Sequence, residues 1–322
     1  MKKFCLILIV VLAALSCVLV GCNNVPREIT LYVPDGAPAL AVANIVSDGA
    51  VGQTRVNTVI TTGEDVVAKC ASGEADVAIL PTNAAVTICN KRSDYLLYTV
   101  NVHGLLYVVG TQQLASIADL TGEVLSIGLA NTPEYVMKTV LDYKGVDYSN
   151  GGAVTLTYKA DATEIIPLMM QAAAKGEQKF AVLGEPAVTN LLNKAASQDK
   201  QMYRLFDLQQ LWKDATDSDS DGYPQASMIV KRDLAANATF MSALQEMVFS
   251  NEEFLLNNLD KLNALMKNAG SSLDVNYTAE IISNCNIHAV LASQSQAGLN
   301  AYLAKFSALA QYLPLSQDIF YE

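Results

Sequence analysis

A chain of 322 residues with a formal charge of −11 and 51% hydrophobic residues is long enough for two lobes rather than one small core. The acid excess argues against nucleic acid as a partner. With two histidines in the whole chain, and no Gly-x-Ser-x-Gly elbow, P-loop or His-Glu-x-x-His, neither a metal centre nor a cofactor-dependent or hydrolytic activity is expected.

The chain opens on Met1, Lys2 and Lys3, an apolar run from Phe4 to Leu15, and then Leu19-Val20-Gly21-Cys22. A basic start, a short apolar core and a small residue before the cut site describe a secretory signal, here residues 1–21. Its ending resembles the bacterial lipobox. That resemblance implies lipidation of the Cys22 thiol, cleavage before it, a short tether over 22–26, and a protein held at the membrane outside the cytoplasm. Loss of the leader removes Lys2 and Lys3 but no acid, which takes the charge from −11 to −13. Cys5 and Cys17 leave with it, and Cys70, Cys89 and Cys285 remain on apolar segments, where they read as buried free thiols. No later apolar run approaches the ~20 residues of a membrane helix, so the mature chain is expected to be soluble and monomeric.

One pattern then recurs four times: a short apolar strand, a loop carrying proline, and a helical stretch. Strand 29–33 leads through Asp35-Gly36-Ala37-Pro38 to helix 39–46. Strand 76–80 leads through Pro81-Thr82-Asn83 to helix 84–90. Strand 125–129 leads through Asn131-Thr132-Pro133 to helix 134–143, and strand 180–183 leads through Gly184-Glu185-Pro186 to helix 187–194. Alternation of this kind predicts an α/β fold of mainly parallel sheets flanked by helices. Proline suits a helix start, and Thr82, Asn83, Asn131 and Thr132 can act as N-caps. Ligands in such folds sit beyond the carboxyl ends of the strands, where helix N-termini offer free N–H groups.

Apolar runs at 104–109 and 226–230 frame the second pair of units. Paired side by side they would make a two-stranded hinge, with one lobe of 27–110 plus 225–322 and a second of 111–224. From Asp233 onward the apolar spacing predicts helices, broken near Gly270 and Asn286. Asp217-Ser218-Asp219-Ser220-Asp221-Gly222 matches the first half of a calcium loop, but position twelve falls on Met228, so a solvated acidic loop is the preferred reading.

These segments together resemble the solute-binding lipoproteins of bacterial ABC importers, and most closely the branch that binds sulfonates, taurine, nitrate or thiamine-pyrimidine precursors. The residues that carry the likeness are Val33 to Ala41, Gly73 to Asn83, Ile117 to Gly122, Leu183 to Pro186, Tyr223-Pro224-Gln225 and Asp318 to Tyr321. The resemblance implies a two-lobed type II periplasmic-binding-protein fold, a small-molecule ligand in the cleft, and ABC permease subunits as partners. It places the four junction loops, with Tyr223 and Gln225, around the ligand. His103 stands where relatives place an aromatic residue and can be a ligand contact or a satisfied strand-end polar group; Tyr107 and Tyr135 can be simple packing. Glu185 and Asp35, with no Lys or Arg in the junction loops, point to a neutral or cationic nitrogen-bearing ring. A sulfonate-type or nitrate-type anion, a sensor using the same cleft, and an enzyme of the same fold are the alternatives.

Overall fold

The computed structural model describes residues 25–129, 131–217 and 222–322. The leader, Cys22, and Asp219 and Asp221 of the acidic loop lie outside the described residues. Twelve strands form among these residues: β1 (Glu28–Pro34), β2 (Ala50–Val51), β3 (Thr54–Thr61), β4 (Val77–Pro81), β5 (Tyr95–Val102), β6 (Leu106–Gly110), β7 (Gly122–Ile127), β8 (Val154–Lys159), β9 (Phe180–Gly184), β10 (Tyr203–Asp207), β11 (Ala226–Lys231) and β12 (Ile287–Leu291). They make two sheets, one in the order β12-β5-β11-β4-β1-β3-β2 and one in the order β10-β6-β9-β7-β8.

The repeated strand–loop–helix units pair in parallel: β1 with β3 and β4, and β7 with β8 and β9. The other pairings are antiparallel, so each sheet has a parallel centre and antiparallel additions. The cause is the path of the chain. β6 and β11 begin where the chain has just crossed between sheets, at the edge where β4 and β9 end, so they must run the opposite way.

The expected pairing of 104–109 with 226–230 does not form. Every residue of β6 is buried, because this strand is internal to the second sheet, between β9 and β10. β11 lies between β4 and β5 in the first sheet. The side-by-side crossing occurs just before β6 and before β11. Gln225 N–H donates to Val102 O at 2.9 Å, and a Cβ on Gly222 would lie 2.8 Å from the Gly104 nitrogen. Residues 106–110 therefore belong with the second sheet rather than the first.

The first helical segment also departs from expectation. In place of one helix over 39–46 there are two short ones, Ala37–Leu40 and Ala43–Asp48. The buried Asn251 amide inserts between them. Its Nδ2 donates to Leu40 O at 2.9 Å and its Oδ1 accepts from Asn44 N–H at 3.1 Å, replacing the i→i−4 bond those groups would share. β7, expected to reach residue 129, stops at Ile127 because Gly128 turns with φ +68°, leaving Leu129 67% exposed. The C-terminal third is helical over Ala238–Asn257, Leu259–Asn268, Ala279–Asn284 and Gln296–Leu303, but it also contributes β12. Its last residues dock on β5, with Tyr321 N–H donating to Leu97 O at 3.0 Å. Cys70, Cys89 and Cys285 are free and buried, and burial pushes the Cys70 thiol up to about 12. No described helix is long and apolar enough to cross a membrane.

Candidate cleft between the sheets

Six helices start at the carboxyl ends of parallel-type strands: those beginning at Ala37, Gly63, Thr82, Thr132, Ala162 and Ala187. The two sheets turn these edges toward each other around a cavity of about 140 Å³. Engineered cavities of roughly 150 Å³ take up benzene, so the space suits a single small ring or a molecule of that size. First-turn amides have no acceptor within their own helix. Among the described residues those of Gly63, Ala162 and Ala187 find no other intramolecular acceptor either, which gives the wall a partial positive character.

Ten of the residues expected at the ligand line this cavity: Asp35, Gly36, Ala37, Pro38, Pro81, Asn131, Pro133, Gly184, Glu185 and Gln225. Asn131 caps its helix, accepting from Thr132 N–H at 3.0 Å. The other five do not line it; their side chains pack or bond elsewhere in the fold. Thr82 Oγ1 bonds Ser227 Oγ at 2.8 Å and serves inside its helix rather than as the cap. Thr132 Oγ1 donates to Asn83 Oδ1 and accepts from Tyr302 O–H, both at 3.3 Å, in a buried bridge between the two sheets' units. Tyr223 is 1% exposed and packs against Trp212 at 5.5 Å between ring centroids. The His103 ring stacks on His288 at 3.8 Å, with 4° between the planes. His103 and Tyr223 line a separate depression with Trp212 and Tyr302. Tyr107 and Tyr135 pack as well, Tyr107 beneath Arg204 and Tyr135 against Phe306.

Two loops that the sequence reading missed complete the wall, Thr61-Thr62-Gly63 and Ala160 to Thr163. A signal for both was present. Thr62 and Asp161 each cap the helix that follows, at 3.2 Å to Asp65 N–H and 2.7 Å to Thr163 N–H.

Each lining carboxylate is already engaged by donors of the protein, Asp161 through Oδ1 alone. Asp35 accepts from Gly36 N–H, Ser271 O–H, Ser272 N–H and Ser272 O–H at 2.6–2.8 Å. Asp161 is engaged by Thr163 N–H and O–H. Glu185 accepts from Thr189 N–H and O–H, both at 3.1 Å, and pairs with Arg204. The Arg204 guanidinium in turn lies 4.6 Å from the Tyr107 ring centroid. The expected part for Glu185, a bare carboxylate facing the ligand, is therefore filled differently: it is neutralised from behind and caps the helix Ala187–Ala196. Among the described residues no Lys, Arg, His or Cys lines the cavity. The wall can hold a small molecule and shield it from water.

No protein-family model matches the sequence, and no curated protein matches it. Solved structures do. An ABC transporter of Parabacteroides distasonis is 21% identical, with 89% of this chain and 94% of that chain covered and a TM-score of 0.69. The alkanesulfonate-binding protein of Xanthomonas axonopodis pv. citri, bound to MOPS, is 14% identical over 92% and 96% of the two chains at a TM-score of 0.64. This chain has the fold of ABC-importer solute-binding proteins. The periplasmic nitrate-binding protein of Synechocystis PCC 6803 extends the likeness, at 12% identity, 91% and 84% coverage and a TM-score of 0.58. The solute-binding-protein fold accounts for the two mixed sheets and for the cavity between their facing edges.

Proposed function

We propose that this chain is a lipid-anchored, extracytoplasmic receptor that takes a small solute into the cavity between its sheets and delivers it to an ABC permease. Six helix starts from both sheets converge on one ring-sized cavity that, among the described residues, no Lys, Arg, His or Cys lines, and this observation carries the reading. The lobes are the two sheets with their helices, joined where residues 103–105 and 222–225 cross. The solute is a small nitrogen-bearing ring, uncharged or weakly basic. Cavity size and the absence of a cation among the described lining residues support that class, because a strongly anionic solute would meet three acids with only amide dipoles and neutral side chains to offset them. Bound solute stabilises the folded protein by about 2.7 kcal/mol at a hundredfold excess over Kd. A thermal-shift screen of the full-length chain in detergent, across amines, vitamin precursors and sulfonates, should thus find a clear upward shift. No shift across all classes, and no stimulation of a reconstituted permease by any hit, would remove the receptor reading.

The anchor has its own test. Cys22→Ser should leave the leader uncleaved or release the protein from the membrane. A Cys22→Ser chain that is processed and sediments with membranes like the parent would show that Leu19 to Cys22 is an ordinary export signal.

A further inference from the structure

We infer that Gln225 is the specificity-determining residue of the cavity and that it selects solutes carrying an N–H or O–H donor. This rests on the receptor reading and adds to it. The Gln225 Oε1 atom is buried and has no hydrogen-bond partner among the described residues, and the residue lines the cavity. A buried carbonyl without a donor is costly and uncommon in a native fold. The neighbouring carboxylates do not share this condition: Asp35, Asp161 and Glu185 are each engaged by two or more donors of the protein itself. An entering donor therefore finds in Gln225 an acceptor whose need the protein leaves unmet.

The backbone around Gln225 fixes where that acceptor stands. Its N–H donates to Val102 O at 2.9 Å, and its carbonyl accepts from Thr82 N–H at 3.2 Å. Pro224, directly before Gln225, has its own φ fixed by its ring, and β11 starts directly after Gln225, at Ala226. The side chain thus springs from the crossing point of the two lobes, pinned on both sides, which is the arrangement that makes a polar contact selective. A solute with only acceptors would satisfy the helix amides but leave Oε1 orphaned, with lone pairs facing lone pairs. A neutral ring bearing an amide or amino group can satisfy both.

The test uses the full-length chain in detergent and pairs of probes that differ in NH₂ against CH₃: nicotinamide with 3-acetylpyridine, and benzamide with acetophenone. Nitrate and methanesulfonate serve as anions without a donor. Isothermal titration should find the amide member of at least one pair bound about tenfold or more tighter than its methyl ketone, the effect of one buried hydrogen bond. In Gln225→Met, of similar shape, that preference should fall to about threefold or less. In Gln225→Glu, which keeps the acceptor, it should persist, a rescue that a purely structural role would not produce. Ketones or the two anions binding as tightly as the amides, a preference that survives Gln225→Met, or no binding by either amide would each overturn the proposal. Failure by absence of binding leaves the receptor reading to its own screen, which covers unrelated solutes.

Discussion

Arg204→Met should lower the free energy of unfolding by about 3–5 kcal/mol, the usual loss when one partner of a buried ion pair is removed. The Glu185 side chain is fully buried while that of Arg204 is 31% exposed, so the substitution strips a cation from a carboxylate that water cannot reach. The remaining donors, Thr189 N–H and O–H, are neutral and do not replace a charge. Glu185→Gln in the Arg204→Met background should restore most of the loss, because the buried charge is then gone as well. Urea denaturation of the four proteins gives the coupling directly, with unchanged m values showing that the transition itself is the same. A single-mutant loss below about 1 kcal/mol would mean that the pair behaves like a surface salt bridge. The same geometry redirects the meaning of any Glu185→Ala result, since that change removes a helix cap as well as a cleft residue.

Trp212→Ala is expected to cost about 3–5 kcal/mol, as large-to-small changes of buried aromatics do. Trp212 is 2% exposed and meets Tyr223, Tyr302 and Phe306 at centroid distances of 5.5, 5.6 and 6.0 Å. Tyr302 and Phe306 belong to the C-terminal segment packed on the first sheet's unit, whereas Trp212 sits in the helix Leu208–Thr216 that follows β10. The cluster consequently joins the two halves at a place separate from the ligand cavity. Trp212→Phe keeps a ring in the cluster and should lose clearly less. Because Trp212 is the one tryptophan of the chain, its emission reports this site alone and should shift to the red on unfolding. Thermal and urea unfolding followed by circular dichroism decide the matter. A Trp212→Ala protein as stable as the parent would show that the halves are held together elsewhere.

Much of the site was readable from short motifs. Proline beside a polar or glycine residue, after four or five apolar residues, marks a strand end and a helix start together, and nine residues of such junctions line the cavity, with Gln225, expected from the resemblance, as the tenth. Thr82, Asn83 and Thr132 share the same local pattern, but their hydroxyl and amide groups meet one another, Ser227 and Tyr302 across the fold. Nothing local distinguishes a polar side chain that faces a ligand from one that faces a partner 145 residues away. The strand β5 was missed for a related reason. Its eight residues are all buried, including Thr99 and Asn101, which bond each other at 2.8 Å, so the strand shows no apolar–polar alternation between a core face and a solvent face.

What the sequence alone determined about this protein is local and periodic. The alternation of strand and helix, the proline-marked junctions and the unpaired cysteines follow from residue type and spacing, because propensity, capping and period act within a turn or two of chain. Sheet direction, the place of β6, the division of the first helix by Asn251 and the neutralising of Glu185 by Arg204 were decided only by the tertiary structure. Each depends on a group far away in sequence reaching a backbone or side-chain atom in three dimensions. A carboxylate at a helix start looks the same in the sequence whether a guanidinium waits behind it or a ligand in front.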